Sequence, residues 1–230
     1  MTVPQKTLRW LELLVLFVGG PMLIWQFQGI LGGRRLFLFL WILGLLSGIG
    51  LYFDQKFDRK KLWNAKAVLP AMGWVVGRWV VCCVVLTALF GLLSGRVLPG
   101  LTLAVPTGMF SLFHREDLAW WLPLLITLFY PWVSVYPQNL IYRAFFCQRY
   151  RPILGASWGL ILVNAALFSL GHVMFNNWVV LLLTFFGGII FTRTYLKSRS
   201  LLLATIEHAM YGLFCFYLGV GVFLLYGASG

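Results

Sequence analysis

Four ionisable side chains fall inside stretches that are otherwise apolar: Arg143, His172, Glu207 and His208. In hydrocarbon an unpartnered charge costs about 2.5 kcal/mol or more, so each of the four is a functional candidate. Their types allow three kinds of chemistry: hydrogen bonding between helices, metal ligation, or proton transfer. Two histidines, an arginine and a glutamate on three late segments point to one bundled polar site rather than to separate struts. His172, Glu207 and His208 have the donor atoms for zinc but not the H-E-x-x-H spacing, and no metal or cofactor is expected. Arg78 lies near a span edge, where its long stem lets the charge reach the interface.

Around these residues three short patterns recur in order. Gln138-Asn139-x-x-x-Arg143 closes one apolar segment, Phe168-x-x-x-His172 closes the next, and His208-x-x-x-Gly212 lies in the last. Phe168 and His172 are four residues apart and share a helix face. Together the three patterns resemble the CPBP family of intramembrane proteases, the CAAX-processing and bacteriocin-processing proteins also called the ABI family. Its motifs are Glu-Glu-x-x-x-Arg, Phe-x-x-x-His and His-x-x-x-Asn on separate helices. The resemblance implies a catalytic core over about residues 118–220. Its substrate would be a membrane-anchored peptide or protein, cleaved by a water that a first-motif glutamate and the second-motif histidine activate. The third-motif histidine and asparagine would steady the oxyanion.

This chain departs from that pattern where the chemistry is most exacting. Both glutamate positions are amides, Gln138 and Asn139, and Gly212 replaces the third-motif asparagine. An amide has no useful basicity near neutral pH, so Asn139 at the general-base position cannot take a proton from water. The catalytic candidates are therefore Asn139, His172 and His208, with Gln138, Arg143, Phe168, Glu207 and Gly212 in support. Glu207 is open to two readings: a substitute base, or a partner that neutralises Arg143 across helices. The expectation is an endopeptidase impaired as written. The alternative is a non-catalytic pseudoprotease that binds membrane peptides or partner proteins.

The elements that must hold these residues are legible from hydropathy. With 61% hydrophobic and 10% charged residues over 230 positions, the chain lacks the polar surface of a water-soluble domain. Apolar runs of about 20 residues indicate helices rather than barrel strands. The expected fold is all-α: one transmembrane domain, 1–230, of about seven or eight membrane-spanning helices. Spans are placed at roughly 10–31, 36–53, 72–93, 118–142, 154–174, 178–195 and 201–226. The last is either one tilted helix or a helix with a short return near Gly219 and Gly221. With the N-terminus in the cytoplasm, eleven Lys and Arg outside the spans fall inside the cell and four outside, which favours that orientation. The first span shows no A-x-A cleavage site and reads as a retained helix.

The net charge of +12 sits in short loops between apolar spans, as anionic lipid headgroups and membrane orientation require. Membrane lipids are the expected partners, and nucleic acid is not. Cys82, Cys83, Cys147 and Cys215 lie in or beside the spans and read as small buried hydrophobes. The stretch His114, Arg115, Glu116, Asp117 before Trp120 and Trp121 reads as a surface helix start with an interfacial aromatic belt.

Overall fold

A computed structural model of the chain describes residues 2–94 and 121–217. The His114–Asp117 stretch, Trp120 and the question of a return near Gly219 and Gly221 lie outside these residues. Among the described residues there are seven helical rods and no strand. They are α1 (Val3–Gln26), α2 (Gln28–Phe53), α3 (Val68–Ser94), α4 (122–154), α5 (Trp158–Leu170), α6 (Trp178–Ser198) and α7 (Leu201–Tyr217). Five stretches are long and apolar enough to cross a bilayer by length and composition, and large apolar side chains such as Leu14, Leu45, Val81 and Phe186 are exposed. Such a surface suits lipid and not water. The chain is an all-α integral membrane protein.

The rod boundaries shift from those expected. α1 starts at Val3, well before position 10. α4 runs on to Leu154, past the expected end at 142, because Gln148, Arg149 and Arg151 find partners or solvent at its end rather than breaking the helix. α5 ends at Leu170, and a single 3-10 turn, Val173–Phe175, follows.

α4 is the axis of the bundle, and its prolines shape it. Pro131 and Pro137 lack the N–H that an α-helix needs. The helix widens into π-turns at Pro131–Val135 and Leu140–Phe145, with the Tyr136 N–H bonded five residues back to the Pro131 carbonyl. Pro137 supplies no donor to the carbonyl four residues before it, that of Val133, and the Trp41 indole on α2 donates to it at 3.0 Å. Gly44 allows that approach, since a Cβ there would lie 3.1 Å from the Pro137 Cβ. On the other side, Phe17 of α1 meets Tyr142, Phe146 and Tyr150 edge-on at 5.1–5.7 Å.

The turns follow from local chemistry. Gly155 at φ 77° ends α4. Asn176 at φ 48° makes a tight, uncharged turn, and the Asn177 side chain caps α6 by accepting from the Val179 and Val180 amides at 2.9 and 3.3 Å. Asn176 Oδ1 also accepts from the Trp25 indole at 2.6 Å, which ties α1 to this turn. At the opposite end the basic 54–67 loop is pinned by Arg199–Asp58 at 3.1 Å and by Gln148 donating to Asp54 at 2.9 Å. Arg149 holds Glu12 with two bonds of 2.8 and 2.6 Å.

Two contacts deep in the bundle decide its packing. A Cβ on Gly188 of α6 would sit 2.7 Å from the Ala165 Cα of α5, so the two backbones touch. Arg78 of α3 forms an ion pair with the buried Glu207 of α7 and also donates to Thr194 Oγ1 of α6 at 2.8 Å. Arg78 thus reaches a partner inside the bundle instead of reaching only the interface.

Gly188→Ala should lower stability in detergent by about 1–3 kcal/mol, since neither backbone can yield, whereas Gly73→Ala, with nothing within 4 Å, should be neutral. Thermal unfolding of the two variants checks this, and equal midpoints would contradict it. Arg78→Met alone should cost about 3–5 kcal/mol by leaving Glu207 uncompensated, and the Arg78→Met/Glu207→Met double variant should recover most of that loss. Additive losses across the cycle would show that the pair is not coupled.

Candidate active site

Asn139, on the short α-helical stretch between the two π-turns of α4, is fully buried. Its Nδ2 lies 3.4 Å from the Ala204 carbonyl and 3.3 Å from Thr205 Oγ1, both on α7. A carbonyl only accepts, which fixes the amide with its nitrogen toward Ala204 and its oxygen toward His208. Asn139 Oδ1 is 3.3 Å from His208 Nδ1, so that nitrogen carries the proton and donates. His208 is held flat against Phe191 of α6, with ring centroids 4.3 Å apart and planes 16° apart, and edge-on to Phe168 of α5 at 5.5 Å.

His172 stands just past the end of α5, on the turn before the 3-10 segment, and is only partly buried. The expected pairing with Phe168 is present, with ring centroids 4.8 Å apart. The His172 Nδ1 lies 2.8 Å from the Phe168 carbonyl. That carbonyl also only accepts, so Nδ1 is protonated and Nε2 keeps its lone pair. Both imidazoles are thereby held in the same tautomer, with Nε2 as the basic atom.

Arg143 is fully buried one turn along α4 from Asn139. Its guanidinium lies over the Phe168 ring at 4.5 Å and donates to Asn164 Oδ1 on α5. Asn164 is oriented in turn by donating to the Tyr142 carbonyl at 2.6 Å, and Thr192 of α6 lies 2.7 Å from Asn164 Oδ1. The Arg143 Nε and Nη2 are buried without a hydrogen-bond partner among the described residues. Asn164 and Thr192 were not singled out in the sequence; an Asn four residues before Phe168 in an apolar run is the signal that could have found Asn164. Gln138 donates to Ser134 Oγ at 3.0 Å, and its Oε1 is buried and unpartnered.

Glu207 lies apart from this cluster. Its partner is Arg78, not Arg143 as one sequence reading had it, because consecutive helix residues diverge by about 100° and Glu207 faces α3 while His208 faces α4. At Gly212 the missing side chain is replaced: a Cβ there would collide with the Tyr130 hydroxyl and ring, so Tyr130 of α4 fills the space. The structure therefore brings Asn139, Arg143, Phe168, His172 and His208 together, linked through Phe168, and leaves Glu207 outside. Among the described residues no group of three His, Cys, Asp or Glu could hold a metal ion.

The arrangement offers two imidazole lone pairs, a buried amide against one of those rings, and a buried cation with no anion beside it among the described residues. No curated protein and no solved structure matches the chain. Residues 119–214 match the model of a protein family described as type II CAAX prenyl endopeptidase, Rce1-like. That stretch spans nearly all of α4 to α7, the four helices that supply these side chains, so this part of the chain is similar to CAAX-type endopeptidases.

Proposed function

We propose that the chain is an intramembrane endopeptidase scaffold of the CAAX-protease type whose hydrolytic power is impaired at Asn139. Its substrate would be a membrane-anchored peptide or protein, and the family description points to a prenylated C-terminal end. The single observation that carries the reading is the bond between Asn139 Oδ1 and His208 Nδ1 at 3.3 Å, beside a buried Arg143 with two unpartnered nitrogens. A carboxylate at position 139 would lie one turn from that guanidinium, supply its missing charge, and accept a proton.

In this mechanism the water oxygen attacks the scissile carbonyl carbon while its proton passes to the base. The same proton then goes to the leaving amine nitrogen as the C–N bond breaks. With glutamate at 139, the carboxylate and His172 Nε2 share the base role. In the chain as written the base role falls to His172 Nε2, because His208 is stacked on Phe191 and tied to position 139, and an amide oxygen accepts a hydrogen bond but not a proton. His208 positions the residue at 139, and Tyr130 with Gly212 occupies the place of the third-motif side chain. The basic 54–67 loop is assigned to the cytoplasmic side, with the N-terminus.

One observation favours a second reading, a pseudoprotease that binds such peptides without cutting them. The Asn139 amide uses both its donor and its acceptor in three contacts to α7, as a structural strut would.

Cleavage of a membrane-anchored, prenylated peptide in liposomes separates the readings. Asn139→Glu should raise the rate by about 10²–10⁴ over the chain as written, and His172→Ala in that background should return it to baseline. Equal rates for the chain and for Asn139→Glu would overturn the assignment of position 139. Peptide retention by both forms with cutting by neither would favour the binding protein.

A further inference from the structure

At the end of the bundle that carries the basic loops, a cavity of about 380 Å³ lies between α3, α5 and α6. It is unrelated to the Asn139–His208 centre. Arg78, Arg193 and Lys197 line it, with Trp74, Thr194 and the apolar Ile161. Trp74 lies between two of the cations: Arg78 is 4.8 Å and Lys197 4.9 Å from its ring centroid. Arg193 rests on the Trp158 ring at 4.9 Å.

Three cations therefore converge, and the one carboxylate nearby, Glu207, is already engaged by Arg78. Arg193 and Lys197 are exposed and have no carboxylate partner among the described residues. They are four apart on α6, where like charges repel. An anion in the cavity would relieve that repulsion. The depth says which anion: Arg193 and Lys197 occupy the last turns of α6, within about 8 Å of its end at 1.5 Å per residue. Two tryptophans at the same level match the aromatic belt at a headgroup boundary. Ile161 and Leu196 form the apolar part of the lining, and Leu162 of α5 and Phe186 of α6 are exposed on the same two helices.

We propose that this cavity binds the phosphate of an anionic phospholipid headgroup, with Arg193 and Lys197 as the principal ligands and Trp74 and Trp158 flanking them. Arg78 completes the positive field while remaining bonded to Glu207. The acyl chains would run down the apolar outer face of α5 and α6.

Native mass spectrometry of the detergent-purified full chain tests this with three probes: phosphatidylglycerol, phosphatidylcholine and inorganic phosphate. The chain should retain phosphatidylglycerol in preference to phosphatidylcholine. Arg193→Gln/Lys197→Gln should weaken that retention about 30-fold, and Arg193→Gln alone, should the double variant fail to fold, about 5-fold. Lys56→Gln/Lys60→Gln removes the same charge from the basic loop and should leave retention unchanged. Equal loss in that control, no loss in the cavity variants, or displacement of the lipid by equimolar inorganic phosphate would each overturn the proposal.

Discussion

Arg143 is a cation buried in the middle of a helix whose surroundings are otherwise apolar, and the packing of the second half answers it. Hydrocarbon offers no hydrogen bonds, so a polar group at that depth is costly where protein or a water-lined cavity does not meet it. Asn164 from α5 accepts its hydrogen bond, Thr192 from α6 steadies Asn164, and the faces of Phe168 and Phe191 lie within 4.5 and 5.8 Å of the charge. The same two rings then clasp His208. A single buried charge thus recruits the helices that also present the imidazoles. The Gly188–Ala165 contact brings α5 and α6 close enough for Asn164 and Thr192 to meet.

The prolines of α4 contribute the other half of the geometry. Widened π-turns on both sides of Asn139 rotate successive side chains by less than an α-helix would, and such turns are frequent at functional sites. Asn139 and Arg143 are both turned inward and fully buried, so one rod supplies the amide and the cation. Replacing a carboxylate by an amide at such a place costs little in packing. Asn139 is well satisfied on α7 by the Ala204 carbonyl and Thr205 Oγ1.

The helical rods and the polar cluster were legible in the sequence for the same reason. A bilayer demands about 20 apolar residues per span, so charged and imidazole side chains inside those runs stand out. The motif spacing then put Phe168 beside His172 and Asn139 one turn from Arg143, as the structure has them. What stayed hidden depends on three-dimensional neighbours. The far end of α4 reads as a polar loop until Glu12 and Asp54 are seen to receive Arg149 and Gln148. Glu207 and Arg78 are 129 positions apart, and only the meeting of α3 with α7 pairs them. Nothing in His208-x-x-x-Gly212 reveals that Tyr130 fills the glycine's space.

The central claim is that both imidazoles are held with the proton on Nδ1, His172 by the Phe168 carbonyl and His208 by Asn139 Oδ1, leaving two Nε2 lone pairs. Nitrogen-15 NMR of histidine-labelled protein in lipid, with His172→Ala and His208→Ala for assignment, reads the tautomer of each ring directly. The account predicts the Nδ1–H form at both positions. An Nε2–H form at His172 would contradict it, because the nitrogen facing the Phe168 carbonyl would then have no proton to give and His172 Nε2 no lone pair to take one.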